Sequence, residues 1–143
     1  MYYPLFVEME NRRCLFVGGG NVALRKARTL CRFGARITVV APEVDEGFRG
    51  LKAKICRREF CEEDLEGAEL VVAATDNREL NAYIASLCRK RRIPVNAGRE
   101  GSVFFGAVFA EEETVAAVST NGKDPAKAAR IRDGLWRALE EER

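Results

Sequence analysis

The chain of 143 residues contains no histidine. This absence excludes a catalytic triad with a histidine base and a metal site with imidazole ligands. The five cysteines are scattered and form no CxxC pair, so the usual dithiol and zinc motifs are missing as well. Cys14 and Cys31 fall in segments with the apolar pattern of a core, and we therefore expect buried free thiols. No metal site is predicted.

Long apolar runs and a strong charge excess are also lacking. No run approaches the roughly 20 residues that a membrane span needs, and the segment Met1–Glu10 lacks the basic start and apolar core of a signal peptide. The net charge of +2 is too small to indicate a nucleic-acid-binding protein. With 47% hydrophobic and 32% charged residues, the composition is that of a folded globular chain. We expect a cytoplasmic protein that binds neither nucleic acid nor membrane.

The first recognisable unit is a strand, a glycine turn and a helix. The apolar strand Cys14–Val17 is followed by three consecutive glycines. A helical pattern begins at Asn21 and ends before Gly34, a residue type that is common just after a helix C-terminus. Ile37–Val40, rich in β-branched residues, forms the next strand. Strand, helix and strand within about 30 residues form the βαβ unit of a parallel sheet.

The same alternation continues towards residue 96. Ala53–Arg57 reads as a weaker strand, and Leu70–Ala74 is so apolar that both of its faces should be covered, as in a central parallel strand. Asn77 suits the cap of a helix running to about Arg92, and Pro94 begins another strand. The predicted fold class is therefore α/β, with a Rossmann-like parallel sheet.

The pattern changes in the last third of the chain. Val103–Phe109 and Thr114–Val118 are predicted as two strands, and Asp124 followed by proline starts a final helix. Its apolar stripe contains Ala128, Ile131, Leu135 and Leu139. We predict a nucleotide-binding domain over residues 1–108 and a dimerisation and substrate-binding segment over 109–143, because so small a segment has too little core to stand alone.

A glycine motif provides the first functional signal. Gly18, Gly20 and Ala23 form G-x-G-x-x-A between a strand and a helix. The first glycine permits a tight turn, the second lets the backbone approach a pyrophosphate, and the helix start at Asn21 and Val22 offers free N–H groups to the anion. These residues are predicted to bind a dinucleotide, and a purely structural glycine turn is the alternative.

Two further segments are candidates for the cofactor site. An acidic residue that binds the adenosine ribose normally ends the second strand, but here Glu43 lies slightly beyond that place, and an exposed glutamate in a turn is an equal alternative. The residues alone leave open the choice between NAD and NADP. Thr75 and Asp76 follow the most apolar strand, at the carboxyl edge where ligands of open α/β sheets bind. Both are predicted cofactor residues.

Four ordered motifs resemble those of precorrin-2 dehydrogenases and of the N-terminal module of siroheme synthases. They are residues 18–26, 39–43, 73–76 and 118–123, read as GGGNVALRK, VVAPE, AATD and VSTNGK. The resemblance implies a homodimer that uses NAD to oxidise precorrin-2 to sirohydrochlorin, and in some members Fe²⁺ insertion. Ser119, Asn121 and Lys123 fall in the last of these motifs, and together with Lys127 they are the candidate substrate-binding residues.

The same resemblance bears on the catalytic base. The family usually has an aspartate after the strand that begins at Pro94, and this chain has Arg99 there, followed by Glu100. Glu100 and Asp76 are therefore the candidate catalytic carboxylates. Loss of the aspartate favours an alternative function, a non-catalytic sensor or carrier that binds nucleotide and tetrapyrrole.

Local charge supports a carboxylate-rich substrate. Between Ser119 and Arg132 there are four cationic residues and one acidic residue, a local charge of +3. Such a surface attracts a tetrapyrrole with many carboxylates, although a solvated helix face is the alternative. The run Arg89–Arg92 lies at a predicted helix C-terminus, where cations complement the helix dipole, and it is interpreted as structural.

Overall fold

The computed structural model describes all residues from Met1 to Arg143, and the chain forms two compact units. One unit is Leu5–Val103, and the other combines Met1–Pro4 with Phe104–Arg143. The predicted α/β class is confirmed, because the larger unit holds a parallel sheet with helices between its strands. Its elements are β1 (Arg13–Val17), α1 (Asn21–Arg32), β2 (Arg36–Val40), β3 (Ala53–Cys56), β4 (Leu70–Ala73), α2 (Arg78–Arg91) and β5 (Val95–Asn96).

The sheet has the strand order β3-β2-β1-β4-β5, and every pairing in it is parallel. Val17, the last residue of β1, is in register with Val40 on one side and with Ala73 on the other. The carboxyl ends of the three central strands therefore lie side by side. The chain changes its direction of winding between β1 and β4, and this topological switch point is where open α/β sheets bind ligands.

The central strands are buried on both faces, as their apolar sequences predict. All four residues of β4 are buried, and α2 packs its residues Ile84 and Cys88 into the same cluster as Leu15 and Val71. The alternate residue Phe16 is also fully buried, on the opposite face of the sheet. Helix α1 contacts β1 and β2, so helices protect the sheet from water.

The helix boundaries follow the predicted capping residues. Asn77 precedes α2 and its side-chain oxygen accepts a hydrogen bond from the Leu80 N–H at 3.1 Å. Gly34 follows the end of α1 with φ of +83°, a conformation that glycine adopts at low cost. The cysteine prediction holds in part: all five thiols are free, but Cys31 is only half-buried. Burial raises the pKa of Cys14 and of Cys88 to about 11.

The smaller unit contains an antiparallel hairpin and one helix. Its elements are β6 (Ala107–Glu111), β7 (Thr114–Val118) and α3 (Pro125–Glu141). The prediction that β6 begins at Val103 was wrong, because the N–H groups of Ser102 and Val103 both donate to the Val95 carbonyl and so fold the chain back on β5. Asp124 caps α3 as predicted, accepting from the Lys127 N–H at 2.8 Å.

Helix α3 buries only part of its apolar stripe within the chain. Ala128 is buried, whereas Ile131, Leu135 and Leu139 are exposed to between 37% and 46%. Phe109 and Trp136 make an edge-to-face contact with ring centroids 5.4 Å apart, which joins β6 to the helix. None of the helices is long and apolar enough to cross a membrane.

Candidate functional site

The glycine turn lies at the carboxyl ends of the central strands. Gly18 adopts φ of +108°, and its N–H donates to the Val40 carbonyl at 3.0 Å. A Cβ atom at this position would overlap the carbonyl oxygen of Ala74. Gly18 is thus required by both backbone conformation and close packing, as the motif predicts for a tight turn.

Gly19 and Gly20 serve different purposes in the same turn. The Gly19 carbonyl accepts from the Asp45 N–H at 2.7 Å, and a Cβ on Gly19 would lie 2.6 Å from the Glu43 carbonyl oxygen. Gly20 has nothing within 4 Å of its would-be Cβ. The fold therefore has room for a larger side chain at position 20, and close packing does not explain the glycine there.

The N-terminus of α1 is available to an anion. Gly20 is its N-cap residue, no side chain caps the helix, and its first turn contains no acidic residue. Asn21 and Val22, the predicted anion-binding residues, are both exposed at this end. Uncapped N–H groups and the helix dipole favour a phosphate at such a position. The open space beside Gly20 fits the pyrophosphate of a dinucleotide.

Thr75 and Asp76 lie where β4 ends, next to the glycine turn. Asn81 of α2 holds this segment: its Oδ1 lies 2.6 Å from the Thr75 hydroxyl and accepts from the Thr75 N–H at 3.1 Å, and its amide donates to the Thr75 carbonyl at 3.0 Å. Asp76 is exposed at the tip. The structure thus places both predicted residues at the switch-point edge, with Asn81 as a support that the sequence analysis did not identify.

A buried polar pair lies at the end of β5. Asn96 is 4% exposed, and its Oδ1 accepts from the ammonium of Lys26 at 2.6 Å. Burial, and secondarily the charge of Arg25, lower the pKa of Lys26. The sequence contained one signal for Lys26, since it falls between Ala23 and Ala27 on the buried stripe of α1. The contact with Asn96 could not be read from that pattern.

The candidate base Glu100 lies in the loop that follows β5. Its N–H donates to the Ala97 carbonyl at 3.0 Å, and the side chains of Glu100 and Arg99 are both exposed. Glu43 lies in the loop after β2 and is exposed too, while its carbonyl borders Gly19. Three carboxylates that sequence analysis selected, those of Glu43, Asp76 and Glu100, therefore follow three different strands of the sheet.

The predicted substrate-binding residues lie in the smaller unit, in the turn before α3. Ser119 and Asn121 make contacts within that unit: the Ser119 hydroxyl accepts from the Asn121 N–H, and Asn121 Oδ1 accepts from the Tyr2 N–H, both at 3.0 Å. Lys123 and Lys127 are exposed. The two lysines remain accessible to an anionic ligand, whereas Ser119 and Asn121 also shape the turn.

Two features of this unit correct or extend the sequence reading. Arg132 is paired with Asp133 at 2.7 Å, so its charge does not add to the exposed cationic surface. Tyr2 stacks on Phe104 with ring centroids 5.1 Å apart, and the Phe104 ring borders Gly122. Neither aromatic was identified from the sequence, because nothing local connects position 2 with position 104.

Comparisons with known proteins agree with this geometry. A family model described as putative NAD(P)-binding matches residues 5–107. The chain belongs to this NAD(P)-binding family. The matched segment contains the glycine turn and the complete parallel sheet, so the predicted dinucleotide cofactor is supported by the family as well as by the site.

Curated relatives support the predicted resemblance. The siroheme synthase of Ectopseudomonas mendocina (strain ymp) is 43% identical over 136 residues, which cover 92% of this chain and 29% of that protein. That of Pseudomonas fluorescens (strain Pf0-1) is 41% identical over 138 residues, covering 92% and 30%. The chain therefore spans about three tenths of the length of the curated relatives it matches.

A solved structure matches nearly the whole chain. "SirC, precorrin-2 dehydrogenase" superposes with a TM-score of 0.74 and 27% identity, covering 96% of this chain and 71% of that one. The match extends beyond the residues of the NAD(P)-binding family model and therefore reaches the smaller unit. The resemblance predicted from the four motifs is confirmed.

Proposed function

We propose that this chain binds NAD and oxidises precorrin-2 to sirohydrochlorin in the biosynthesis of siroheme. The proposal rests on an open, uncapped glycine turn at the switch point of the sheet, in a chain of which 96% is matched by a precorrin-2 dehydrogenase structure. A glycine turn alone supports nucleotide binding, and the extended match supports the reaction.

The proposed cofactor site is built from strand ends and the start of α1. Gly18 and Gly20 allow the backbone to approach the pyrophosphate, and the N–H groups of Asn21 and Val22 bind it. When bound, the nicotinamide of NAD accepts a hydride. The carboxylate of Glu43, in the loop after β2, disfavours the 2′-phosphate of NADP by charge repulsion, which is why we propose NAD.

Thr75 and Asp76 complete the proposed cofactor edge. Asn81 fixes the Thr75 backbone on both its N–H and its carbonyl side, so this segment holds its shape before the ligand arrives. A pre-formed edge reduces the ordering that binding would otherwise require. Asp76, exposed at the tip, is the second candidate for acid–base chemistry.

The oxidation removes a hydride and a proton from the substrate. The hydride leaves with its electron pair to the nicotinamide, and we propose that the carboxylate of Glu100 takes the proton. Arg99 cannot do so at neutral pH because its guanidinium stays protonated. The guanidinium is instead suited to a carboxylate of the substrate, which it can bind in a bidentate manner.

We propose that the smaller unit also binds carboxylates of the substrate. Lys123 and Lys127 are exposed before and within the first turn of α3. Because the Asp124 carboxylate already caps this helix end, the two ammonium groups are what would attract an anion. Ser119 and Asn121 set the shape of the turn that presents Lys123. We propose these four residues as the substrate-binding set, with the side chains of the lysines as its charged groups.

We further propose a cytoplasmic homodimer. Ile131, Leu135 and Leu139 of α3 recur at every fourth residue, so they lie on one face of the helix, and all three are exposed in the single chain. An exposed apolar stripe of this kind marks an interface in a soluble protein. A two-fold pairing of α3 and its hairpin with a second copy would cover it, because such an interface uses the same patch on both subunits.

An alternative function rests on one observation, that Arg99 stands where the resemblance places an aspartate. A chain without the base would bind nucleotide and tetrapyrrole as a sensor or carrier. The test is an anaerobic assay of the purified protein with precorrin-2 and NAD, following sirohydrochlorin by absorbance. Formation of sirohydrochlorin dependent on NAD is expected, and a parallel reaction with Fe²⁺ tests for siroheme. Binding of both ligands without turnover would establish the alternative.

A further inference from the structure

Lys26 is a charged residue on the buried side of α1. Along the helix it stands between Ala23 and Ala27, both fully buried, and it lies two turns before the end of the helix. Side chains of a helix lean towards its N-terminus, and the N-terminus of α1 is the end beside the glycine turn. The ammonium of Lys26 therefore reaches towards the carboxyl edge of the sheet, where it donates to Asn96 Oδ1 at 2.6 Å.

Asn96 joins this ammonium to a loop. Its side-chain amide is buried, and its Nδ2 donates to the carbonyl of Val103 at 3.0 Å. One amide group thus bonds α1 through its oxygen and the end of the 97–103 loop through its nitrogen. The ammonium of Lys26 donates hydrogen bonds and accepts none, so it can pair only with the amide oxygen of Asn96. This pairing fixes which way the Asn96 amide faces.

The 97–103 loop is folded tightly against the end of β5. The N–H groups of Ser102 and Val103 donate to the Val95 carbonyl at 2.8 and 3.0 Å, and the Ser102 hydroxyl accepts from the Val95 N–H at 3.1 Å. A Cβ on Gly101 would lie 2.7 Å from the Ala97 nitrogen. Glu100 is exposed within this loop, and its position is fixed by these contacts of the loop and not by contacts of its own side chain.

We propose that Lys26 is a positioning residue that acts through Asn96 to hold the 97–103 loop closed, and thereby sets the position of Glu100. The catalytic part of this inference rests on the proposed function. Removal of the ammonium would leave the buried Asn96 oxygen unpaired while the loop is closed, which is a costly state. Opening the loop lets water reach the amide, so the bond from Nδ2 to Val103 is lost more often and one end of the loop is released.

Burial supports this assignment of Lys26. Desolvation lowers the pKa of Lys26, and Arg25 lowers it further. A lysine with a solvated ammonium would show no such effect, and a long cationic side chain in this place is costly unless its hydrogen bonds are made. The contact with Asn96 is therefore a specific bond of a desolvated group, in contrast to the exposed arginines of the same helix.

Hydrogen exchange tests the structural part of the proposal on the complete chain. Lys26→Met keeps the apolar stem and removes the donor. The amides of Ser102 and Val103 should then exchange at least tenfold faster, equivalent to about 1.4 kcal/mol in the local opening equilibrium. The Gly18 amide, which is bonded to Val40 at the carboxyl end of β2, should keep its rate. Arg28→Met, at an exposed position of α1, is the matched control and should change neither.

A second variant covers the case in which Lys26→Met does not fold. Asn96→Asp keeps an acceptor for the ammonium and removes the donor to Val103, so α1 keeps its bond while the loop loses its own. The same selective increase in exchange is expected. Unchanged exchange at Ser102 and Val103, or an equal increase at Gly18, in a folded variant would overturn the proposal.

Kinetics test the link to Glu100. Lys26→Met should lower kcat for precorrin-2 oxidation at least tenfold while the KM for NAD stays within about twofold. In a Glu100→Gln background it should lower kcat no further, because both changes act on one group. An equal loss in both backgrounds would overturn the link. If the wild-type chain shows no turnover but the exchange result holds, the proposed function fails and the positioning of the loop by Lys26 stands.

Discussion

Gly18 and Ala74 face each other where β1 and β4 end, so closely that a Cβ on Gly18 would overlap the Ala74 carbonyl oxygen. Gly18 also has φ of +108°, outside the range that other residues adopt readily. Gly18→Ala should therefore lower the free energy of unfolding by about 2–4 kcal/mol, through strain and overlap. Urea denaturation followed by circular dichroism measures this change. An unaltered unfolding midpoint would show that the turn can relax.

Gly20→Val separates cofactor binding from stability. Nothing lies within 4 Å of a Cβ at this position, so the variant should fold as the wild type does. A branched side chain there would stand between the backbone and a pyrophosphate, and the Kd for NAD should rise at least tenfold, about 1.4 kcal/mol. Calorimetric titration gives the Kd. Gly50→Val, at another glycine with open space around it, is the matched control and should bind NAD normally.

The contrast between these two glycines explains how much of the site the sequence predicts. The G-x-G-x-x-A spacing, the apolar strand before it and the helical period after it are all local, and they were sufficient for the parallel sheet and its cofactor edge. Helix caps at Asn77 and Asp124 are local as well, and both were found. Local sequence patterns were thus sufficient to predict most of the fold.

Contacts between distant residues were not accessible in this way. Lys26 meets Asn96 across 70 positions, and Tyr2 meets Asn121 across 119. The apolar run from Val103 was predicted as a strand because its composition favours one. In the structure the N–H groups of Ser102 and Val103 instead donate to the Val95 carbonyl. Tertiary hydrogen bonds overrode local propensity there, and propensity alone could not indicate this.

The exposed apolar face of α3 predicts the oligomeric state. Leu135 is 46% exposed in the single chain, and Ile131 lies one turn before it. Sedimentation velocity of the wild type at micromolar concentration should show a dimer, and Leu135→Glu should show a monomer because it places a charge in the apolar contact. Tyr83→Gln, at an equally exposed residue of α2, serves as the control and should remain dimeric. A monomeric wild type would contradict the interface.

Lys123→Glu tests the cationic turn before α3. The substitution reverses one charge at an exposed position, so the KM for precorrin-2 should rise about tenfold while the Kd for NAD is unchanged. Lys90→Glu changes the same charge at an exposed residue of α2, in the run interpreted as structural, and should leave both constants unaltered. Equal effects of the two substitutions would indicate a general electrostatic attraction and no defined contact.

Whether a carboxylate takes the proton decides between the proposed enzyme and the alternative binding module. A positioned base contributes about 10²–10⁴-fold to such a reaction. Glu100→Gln keeps the shape of the side chain and removes the base, so kcat should fall about a hundredfold or more while the Kd for NAD stays the same. Single-turnover absorbance under anaerobic conditions measures the rate.

Asp76→Asn is the matched comparison, since Asp76 is also exposed at the carboxyl edge of the sheet. It should reduce kcat by less than about tenfold, because Asp76 lies in the predicted cofactor segment and Glu100 lies one position from the place of the family's aspartate. The reverse order of effects would assign the proton to Asp76. Full activity in both variants would exclude both carboxylates as the base.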